Sequence, residues 1–273
     1  MDADKIRDAF NFGERKVVFK ALVGSHNYNL NDETSDKDYK YFVLPTFDDL
    51  YTGKMFSQSK VGMKYDYGVH DIRKLVDLFW KANINFIEVL YSKEIQLARV
   101  VHYMKVESGA GKTIFTEPKS IDFKYPIMND IFDMRHELVT MNLPYLFKAC
   151  KGMYFEKLKR LEKGTEGTQG LVDKFGYDTK QALHAYRVMN FCVRFLQSDW
   201  DFNAAFRYGD KRKEELLNIK YGIYSLEEIK EFLDEYYQNV FIKIEPEYER
   251  MRPNETTRDT LYSLVKTLVK ENL

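Results

Sequence analysis

The run Lys16–Val23, Lys-Val-Val-Phe-Lys-Ala-Leu-Val, is β-branched and apolar, and it stops at Gly24-Ser25. That combination predicts a buried strand feeding a tight turn. The chain then passes through His26-Asn27-Tyr28-Asn29-Leu30-Asn31-Asp32-Glu33-Thr34 to Ser35-Asp36-Lys37-Asp38. Asp38–Leu44, closed by Pro45, reads as a second strand. In an extended segment Asp36 and Asp38 share a face, roughly 6–7 Å apart along the backbone. Like charges held on one face repel, so such a pair usually shares a proton or holds a cation. A turn of small residues with free backbone N–H groups set opposite them can receive a phosphate. Phosphate beside carboxylate-bound Mg²⁺ is the hardware of phosphoryl and nucleotidyl transfer.

Residues 61–67, Val-Gly-Met-Lys-Tyr-Asp-Tyr, alternate as a third strand would and offer Asp66 as a third carboxylate. Three carboxylates can hold two Mg²⁺ ions, which neutralise a triphosphate and activate an attacking hydroxyl. Tyr65 and Tyr67 then lie on the opposite strand face and read as packing. Helical spacing follows over His70–Ala82, with Ile72, Leu75, Val76 and Phe79 on one side, and again over Ile84–Leu90. A short helix is expected at 2–14, and residues 92–125 follow no clear period. Beyond them the pattern predicts helices at about 127–141, 144–162, 178–198, 211–221, 225–249 and 256–271. Lys163–Gly170 has three glycines and no apolar side chain, and reads as an exposed, mobile loop. The expected fold is α+β: a mixed sheet with helices over 1–125 carrying the Gly-Ser/Asp-x-Asp site, then a mainly helical domain over 126–273.

Composition narrows the class. A hydrophobic content of 44% with 15% aromatics excludes a disordered chain. Lys+Arg and Asp+Glu are 42 each, so the net charge creates no global pull toward nucleic acid, while a local basic groove stays compatible. Cys150 and Cys192 each sit in an apolar helical context without zinc spacing, as reduced core residues of a cytosolic protein would. The N-terminus has no apolar signal region, and no stretch approaches the ~18 apolar residues of a membrane span. A cytoplasmic chain with no membrane partner is expected.

Gly24-Ser25 followed by Ser35-Asp36-Lys37-Asp38 resembles the signature of the DNA-polymerase-β-like nucleotidyltransferase superfamily. More narrowly, the chain is similar to the predicted nucleotidyltransferases of bacteria and phages, some of which are linked to RNA repair. Further matches are Tyr65-Asp66 before Asp71-Ile72-Arg73-Lys74-Leu75, then Lys81-Ala82-Asn83, Glu88-Val89-Leu90, Gly176-Tyr177-Asp178-Thr179-Lys180 and His184-Ala185-Tyr186-Arg187. They span roughly 17–235, with a weaker stretch at 92–145. The resemblance implies a polymerase-beta-like catalytic domain followed by helices that close the nucleotide cleft. It implies that Gly24 and Ser25 contact the β- and γ-phosphates through backbone N–H groups and the hydroxyl. Asp36, Asp38 and Asp66 would be both the catalytic set and the ligands of two Mg²⁺ ions, Mn²⁺ being an admissible substitute. Asp66 would also act as, or position, the base for the acceptor hydroxyl. Ser35 joins Gly24 and Ser25 among the nucleotide-binding candidates. His26-Asn27-Tyr28 departs from the Arg-containing version common in relatives, which removes one phosphate clamp.

Lys180, His184 and Arg187 fall at i, i+4 and i+7, on one helix face. Such a basic stripe suits a triphosphate across a cleft, with Lys180 the best phosphate ligand as a compact point charge. An ordinary solvated face, with His184 half-buried and Arg187 paired to a surface acid, has the same spacing. Glu107–Thr113, Glu-Ser-Gly-Ala-Gly-Lys-Thr, imitates a P-loop, but Val106 stands where its first glycine belongs and no helix follows. A hairpin or loop between irregular strands is expected there. His70 and Asp71, adjacent on a helix, project apart and form no catalytic pair; Asp71 reads as a helix N-terminal residue. The mixed-sign run Gly209–Glu215 reads as a solvated helix start. The resulting expectation is a Mg²⁺-dependent transfer of NMP from an NTP to an acceptor hydroxyl with release of pyrophosphate. The acceptor stays open among an RNA 3′ end, a tRNA, a protein hydroxyl and a small molecule. A non-catalytic nucleotide-binding regulatory module is the alternative of a different class.

Overall fold

A computed structural model describes residues 13–60, 65–107 and 113–273. The expected helix at 2–14 and the start of the third strand at 61–64 lie outside the described residues, apart from the last two positions of that helix. β1 (Val17–Val23) turns Phe19, Ala21 and Val23 toward the helices and Leu22 to the other side. β2 (Lys37–Val43) runs antiparallel to it, with Val23 opposite Asp38. β3 (Ser57–Lys60), exposed throughout, pairs antiparallel with β4 (Tyr65–Asp71). β4 in turn runs parallel to β2 with Asp66 opposite Asp38. β5 (Ile95–Leu97) closes the far edge, giving the order β3-β4-β2-β1-β5. One sheet face joins the main core, and the other carries a small cluster of Leu22, Tyr39, Tyr41, Val43 and Val69, with Tyr67 packed on it. Tyr67 therefore sits in packing, as its alternation with Asp66 requires.

α1 (Phe47–Tyr51) is set by a capping box between Thr46 and Asp49. Asp49 also accepts from Arg15 Nε at 2.7 Å. α2 (Lys74–Trp80) begins four residues later than its apolar spacing predicts, because strand pairing holds His70 and Asp71 in β4. Asp71 is fully buried and pairs with Arg73 at 2.6 Å, which turns the chain into the helix. α3 (Ile84–Ile87) continues as a 3₁₀ turn over Glu88–Tyr91. The unperiodic stretch then resolves into β5 and a two-stranded antiparallel unit, β6 (Arg99–Glu107) and β7 (Thr113–Phe123), with two register shifts. The glycines of the P-loop imitation lie outside the described residues, between these strands.

The remainder is helical. The segment expected as one helix at 127–141 breaks at Met134 (φ −87°, ψ 21°) into α4 (Ile127–Asp133) and α5 (Arg135–Thr140). α6 (Leu143–Arg160) packs along α8 (Thr179–Gln197), the central helix. Between them, Lys163–Gly170 is more ordered than its composition suggests. Thr165 N–H donates to Thr168 Oγ1 at 2.8 Å, and α7 (Gln169–Phe175) starts within the predicted loop. α9 (Phe202–Phe206), α10 (Asp210–Lys220) and α11 (Leu226–Tyr236) follow. The helix expected to run to 249 passes through a π turn over Tyr237–Phe241 and a 3₁₀ turn over Ile242–Ile244. It restarts as α12 (Glu245–Glu249), where Pro246 has no N–H to continue a ladder but suits a first turn. α13 (Glu255–Glu271) returns to pack on α2, α4 and α5.

One apolar cluster runs from Val18 and Phe19 of β1 to Val269 of α13, so the core is continuous across residue 125. Cys150 and Cys192 are free and buried within it. Among the described residues no helix is long and apolar enough to cross a membrane. Phe147 of α6 anchors the helical core, stacked on Phe241 at 4.5 Å and tilted on Tyr248 at 5.3 Å. Phe147→Ala should lower stability by about 3–5 kcal/mol. Urea unfolding followed by circular dichroism measures it, and a loss under about 1 kcal/mol would mean that the core collapses to fill the space.

Candidate functional site

The turn after β1 is a single 3₁₀ turn, Gly24–His26, with Gly24 at φ +72°. A Cβ on Gly24 would stand 2.2 Å from Asp38 Oδ2, so only glycine lets this backbone cross the carboxylate. Gly24 N–H donates to Glu88 Oε2 at 3.1 Å. Gly24 thus faces away from the cavity described below, and Ser25 is the residue of the pair that lines it. His26 Nε2 lies 3.0 Å from Ser35 O, tying the turn to the segment that delivers Asp36.

Asp38 and Asp66 are opposite one another on parallel strands and therefore share a sheet face. Asp36 enters from the residue before β2, and all three line one cavity of about 230 Å³. The opposite wall is α8, where Asp178 caps the helix by accepting from the N–H groups of Lys180 and Gln181 at 3.0 and 3.1 Å. Lys180, His184 and Arg187 all line the cavity, as their spacing predicts, together with Ser35. Ser35 Oγ is already engaged, donating to Asp32 Oδ1 at 2.9 Å and accepting from Lys220 Nζ at 3.1 Å.

Electrostatics divides the cavity. Burial, then the neighbouring Asp66 and Glu88, pushes the Asp38 carboxyl up to about 6, against the pull of Lys40. Burial drives His184 down to about 3, reinforced by Arg187, Lys157 and Lys180, so at neutral pH this imidazole adds no charge to the helix face. The face is basic at its two ends only. Arg187 is 3% exposed, with its guanidinium carbon 4.2 Å above the Tyr28 ring. Its Nε has no hydrogen-bond partner among the described residues. A buried guanidinium donor left open beside a cavity is costly unless an anion completes it.

Beneath the site lies a set of groups to which motif reading gave no role. Glu88, 2% exposed, accepts from Gly24 and from Asn27 Nδ2 at 3.3 Å. Lys40 donates to Asn85 O at 2.6 Å, over the Phe86 ring. Burial raises Glu88 and lowers Lys40, and each offsets the other. The available signal was a carboxylate inside the apolar run Ile84–Leu90. Lys220 was missed as well; it pairs with Asp32 at 2.8 Å and anchors the loop ahead of Asp36 to α10.

Among the described residues, no three His, Cys, Asp or Glu side chains form a ready-made metal cluster. The donor chemistry at the cavity nonetheless fits a hard divalent cation. Asp36, Asp38 and Asp66 supply oxygen only, and burial first, then the neighbouring acids, raises Asp38.

Residues 3–127 match the family described as RlaP, the RNA repair pathway DNA polymerase beta family. The N-terminal region is polymerase-beta-like. The matched segment contains the Gly24 turn, all three carboxylates and Glu88, the same residues on which the resemblance rests. A crystal structure of a nucleotidyltransferase-like protein from Exiguobacterium sibiricum is similar at 10% identity and a TM-score of 0.24, covering 98% of this chain and 73% of that one. No curated protein matches the chain.

Two predictions test the geometry of the site. Gly24→Ala should be strained both by its φ and by the closeness of Asp38, costing about 1–3 kcal/mol. Urea unfolding measures the loss, and an unchanged midpoint would show that the turn yields. For His184 the folded value lies below the ordinary 6.5. As pH falls from 6.5 toward 3 the unfolded chain takes up this proton while the native protein does not, so stability declines. His184→Gln should flatten the decline between pH 7 and 5 in urea unfolding. An unchanged slope would assign it to other groups.

Proposed function

We propose that the chain is a Mg²⁺-dependent nucleotidyltransferase acting on an acceptor hydroxyl, with an RNA end as the acceptor. The reading is carried by the parallel register of Asp38 with Asp66 beneath the Gly24 turn, inside the segment matching an RNA repair family. The acceptor oxygen bonds to the α-phosphorus of an NTP while the bond from that phosphorus to the bridging oxygen breaks. Pyrophosphate leaves with that electron pair, and the hydroxyl proton is taken up at Asp66. Asp36, Asp38 and Asp66 would hold Mg²⁺, which offsets triphosphate charge and makes the acceptor hydroxyl more acidic.

The chain's own groups do the rest. Ser25 offers a hydroxyl to the phosphates from one wall, and Lys180 and Arg187 offer cations from the other. The Gly-Ser turn lacks its customary arginine, and the Arg187 guanidinium lies over Tyr28 of that same segment, which supports Arg187 as a phosphate ligand. Neutral His184 donates or accepts a hydrogen bond without adding charge. On this reading residues 1–125 are the catalytic unit and 126–273 cover its cleft.

Asp38→Asn should lower Mg²⁺-dependent transfer of labelled α-phosphate to RNA by at least about 100-fold, the loss typical when one preorganised electrostatic group is removed. Its far-UV circular dichroism should stay native. Chelation of the divalent ion should do the same to the unmodified protein. Full turnover in Asp38→Asn, or in excess chelator, would eliminate the carboxylate role. Lys180→Ala should raise KM for the NTP or lower kcat, and unchanged kinetics would return that residue to a solvated face.

A further inference from the structure

A second, larger cleft of about 820 Å³ opens beside the carboxylate cavity and shares Thr34, Lys180 and Lys220 with it. Its outer part is lined by Lys174, Phe175, Lys213, Leu217 and Tyr221, from α7, α10 and the residue after α10. Asp32 and Glu33 also line the cleft, and Asp32 pairs with Lys220 at the junction; against these two carboxylates stand Lys174, Lys180, Lys213 and Lys220, so cations still outnumber acids on the lining. Burial depresses Lys93, and the charges of Arg207 and Lys213 add to it. On a chain of zero net charge this is a local excess, placed on the helical side and next to the acidic wall.

The aromatic members are held in place. Gly222 (φ +67°) brings its backbone so close to Phe175 that a Cβ would stand 2.3 Å from the ring. Tyr177 Oη donates to Tyr224 O at 2.9 Å, fastening the end of α7 to the segment after α10. Lys174 Nζ lies 4.7 Å from the Phe175 ring centroid. Tyr221 is 49% exposed, so its ring is open to a partner. Cations interleaved with rigid, accessible rings are the arrangement that binds single-stranded nucleic acid without reading its sequence.

We infer that this cleft is the acceptor channel, and that it seats single-stranded RNA with phosphodiesters on Lys174 and Lys213 and a base against Tyr221. The inference rests on the nucleotidyltransferase reading for the reason an acceptor is needed, but not for its binding chemistry. A base-and-ribose pocket for the NTP is the competing use of the same space. It would need no cations beyond those that line the carboxylate cavity, and the cleft is more than three times the volume of that cavity.

Fluorescence anisotropy of an unstructured oligoribonucleotide of about 12 nucleotides, within the usual single-strand site size, tests the channel in full-length protein. Nucleotide binding is measured separately by thermal shift with Mg²⁺-ATP. Lys174→Gln with Lys213→Gln should flatten the dependence of log affinity on log salt by about 0.7 for each phosphate that is no longer neutralised. Tyr221→Ala should weaken RNA binding about 5- to 100-fold, corresponding to one stacked base, while Tyr221→Phe keeps the ring and the affinity. The ATP shift should be unaffected in all of them. Unchanged RNA affinity and salt slope would overturn the channel, as would variants that lose ATP binding in place of RNA binding. Transfer to a protein with no RNA binding would also overturn it while leaving nucleotidyl transfer standing. RNA binding abolished in the cleft variants, in a protein that transfers no nucleotide to anything, would support the channel and overturn the reaction.

Discussion

The approach of the Gly24 backbone to the Asp38 carboxylate constrains everything around it. With a Cβ position 2.2 Å from Oδ2, the turn can cross there only as glycine. The crossing is secured from below, where Glu88 receives Gly24 N–H. Burying Glu88 is expensive, and the surroundings share that cost: Asn27 donates to it, and Lys40 and Arg187 lie near enough to favour its charge. The same Lys40 lowers Asp38 against burial and neighbouring acids. The Asp38 carboxylate and the turn are therefore held by one buried network, and a change to Glu88 or Lys40 would reach the cavity without lining it.

That network also explains why the helical region is bound so closely to the sheet. Tyr208 N–H donates to Tyr28 O at 3.1 Å, and Asn29 Nδ2 donates to Tyr208 O at 2.8 Å. Tyr28 meets Phe206 edge-on at 5.1 Å and carries Arg187 on its face. The loop between the Gly24 turn and Asp36 is thus clamped by α8, α9 and α10, with Lys220 on Asp32 as the outermost tie. Exposed ion pairs contribute little, but this one is largely shielded and shares Ser35. Its worth is geometric, since it fixes the segment that delivers Asp36.

The strands β1 and β2 and the Gly-Ser turn were legible because apolar β-branched runs broken by a glycine leave strong local marks, and Asp36 and Asp38 do line one cavity. So were the long helices, and the placing of Lys180, His184 and Arg187 on one face, since α8 is regular through that turn. What was illegible depends on tertiary pairing. His70 and Asp71 carry helical spacing, yet the ladder with β2 and β3 keeps them in β4. No local rule says that Gly24 N–H turns to Glu88, 64 residues away. The charge of His184 was misjudged for a similar reason, because spacing assigns a face and only packing decides whether an imidazole there can be protonated. α7 escaped notice because its apolar residues, Leu171, Val172 and Phe175, bury little area on their own and count only against the segment after α10.

Charge is distributed by wall and not by domain total. The sheet contributes Asp36, Asp38 and Asp66, and the helices contribute Lys180, Arg187, Lys174 and Lys213 along a continuous opening. A net charge of zero conceals this, because the opposed signs cancel in the sum while remaining separated in space. An anionic ligand lying along the helical wall would pass Asp32, paired with Lys220, and Glu33, and would meet Asp36, Asp38 and Asp66 at the junction near Thr34 and Lys180. A cation held there would convert repulsion into attraction at the one point where the two walls come together. A polyanion would gain most along Lys174 and Lys213, where no carboxylate of the sheet lines the cleft. On the proposed reading the walls would set a direction, with backbone phosphates along the helices and the reacting end at the sheet.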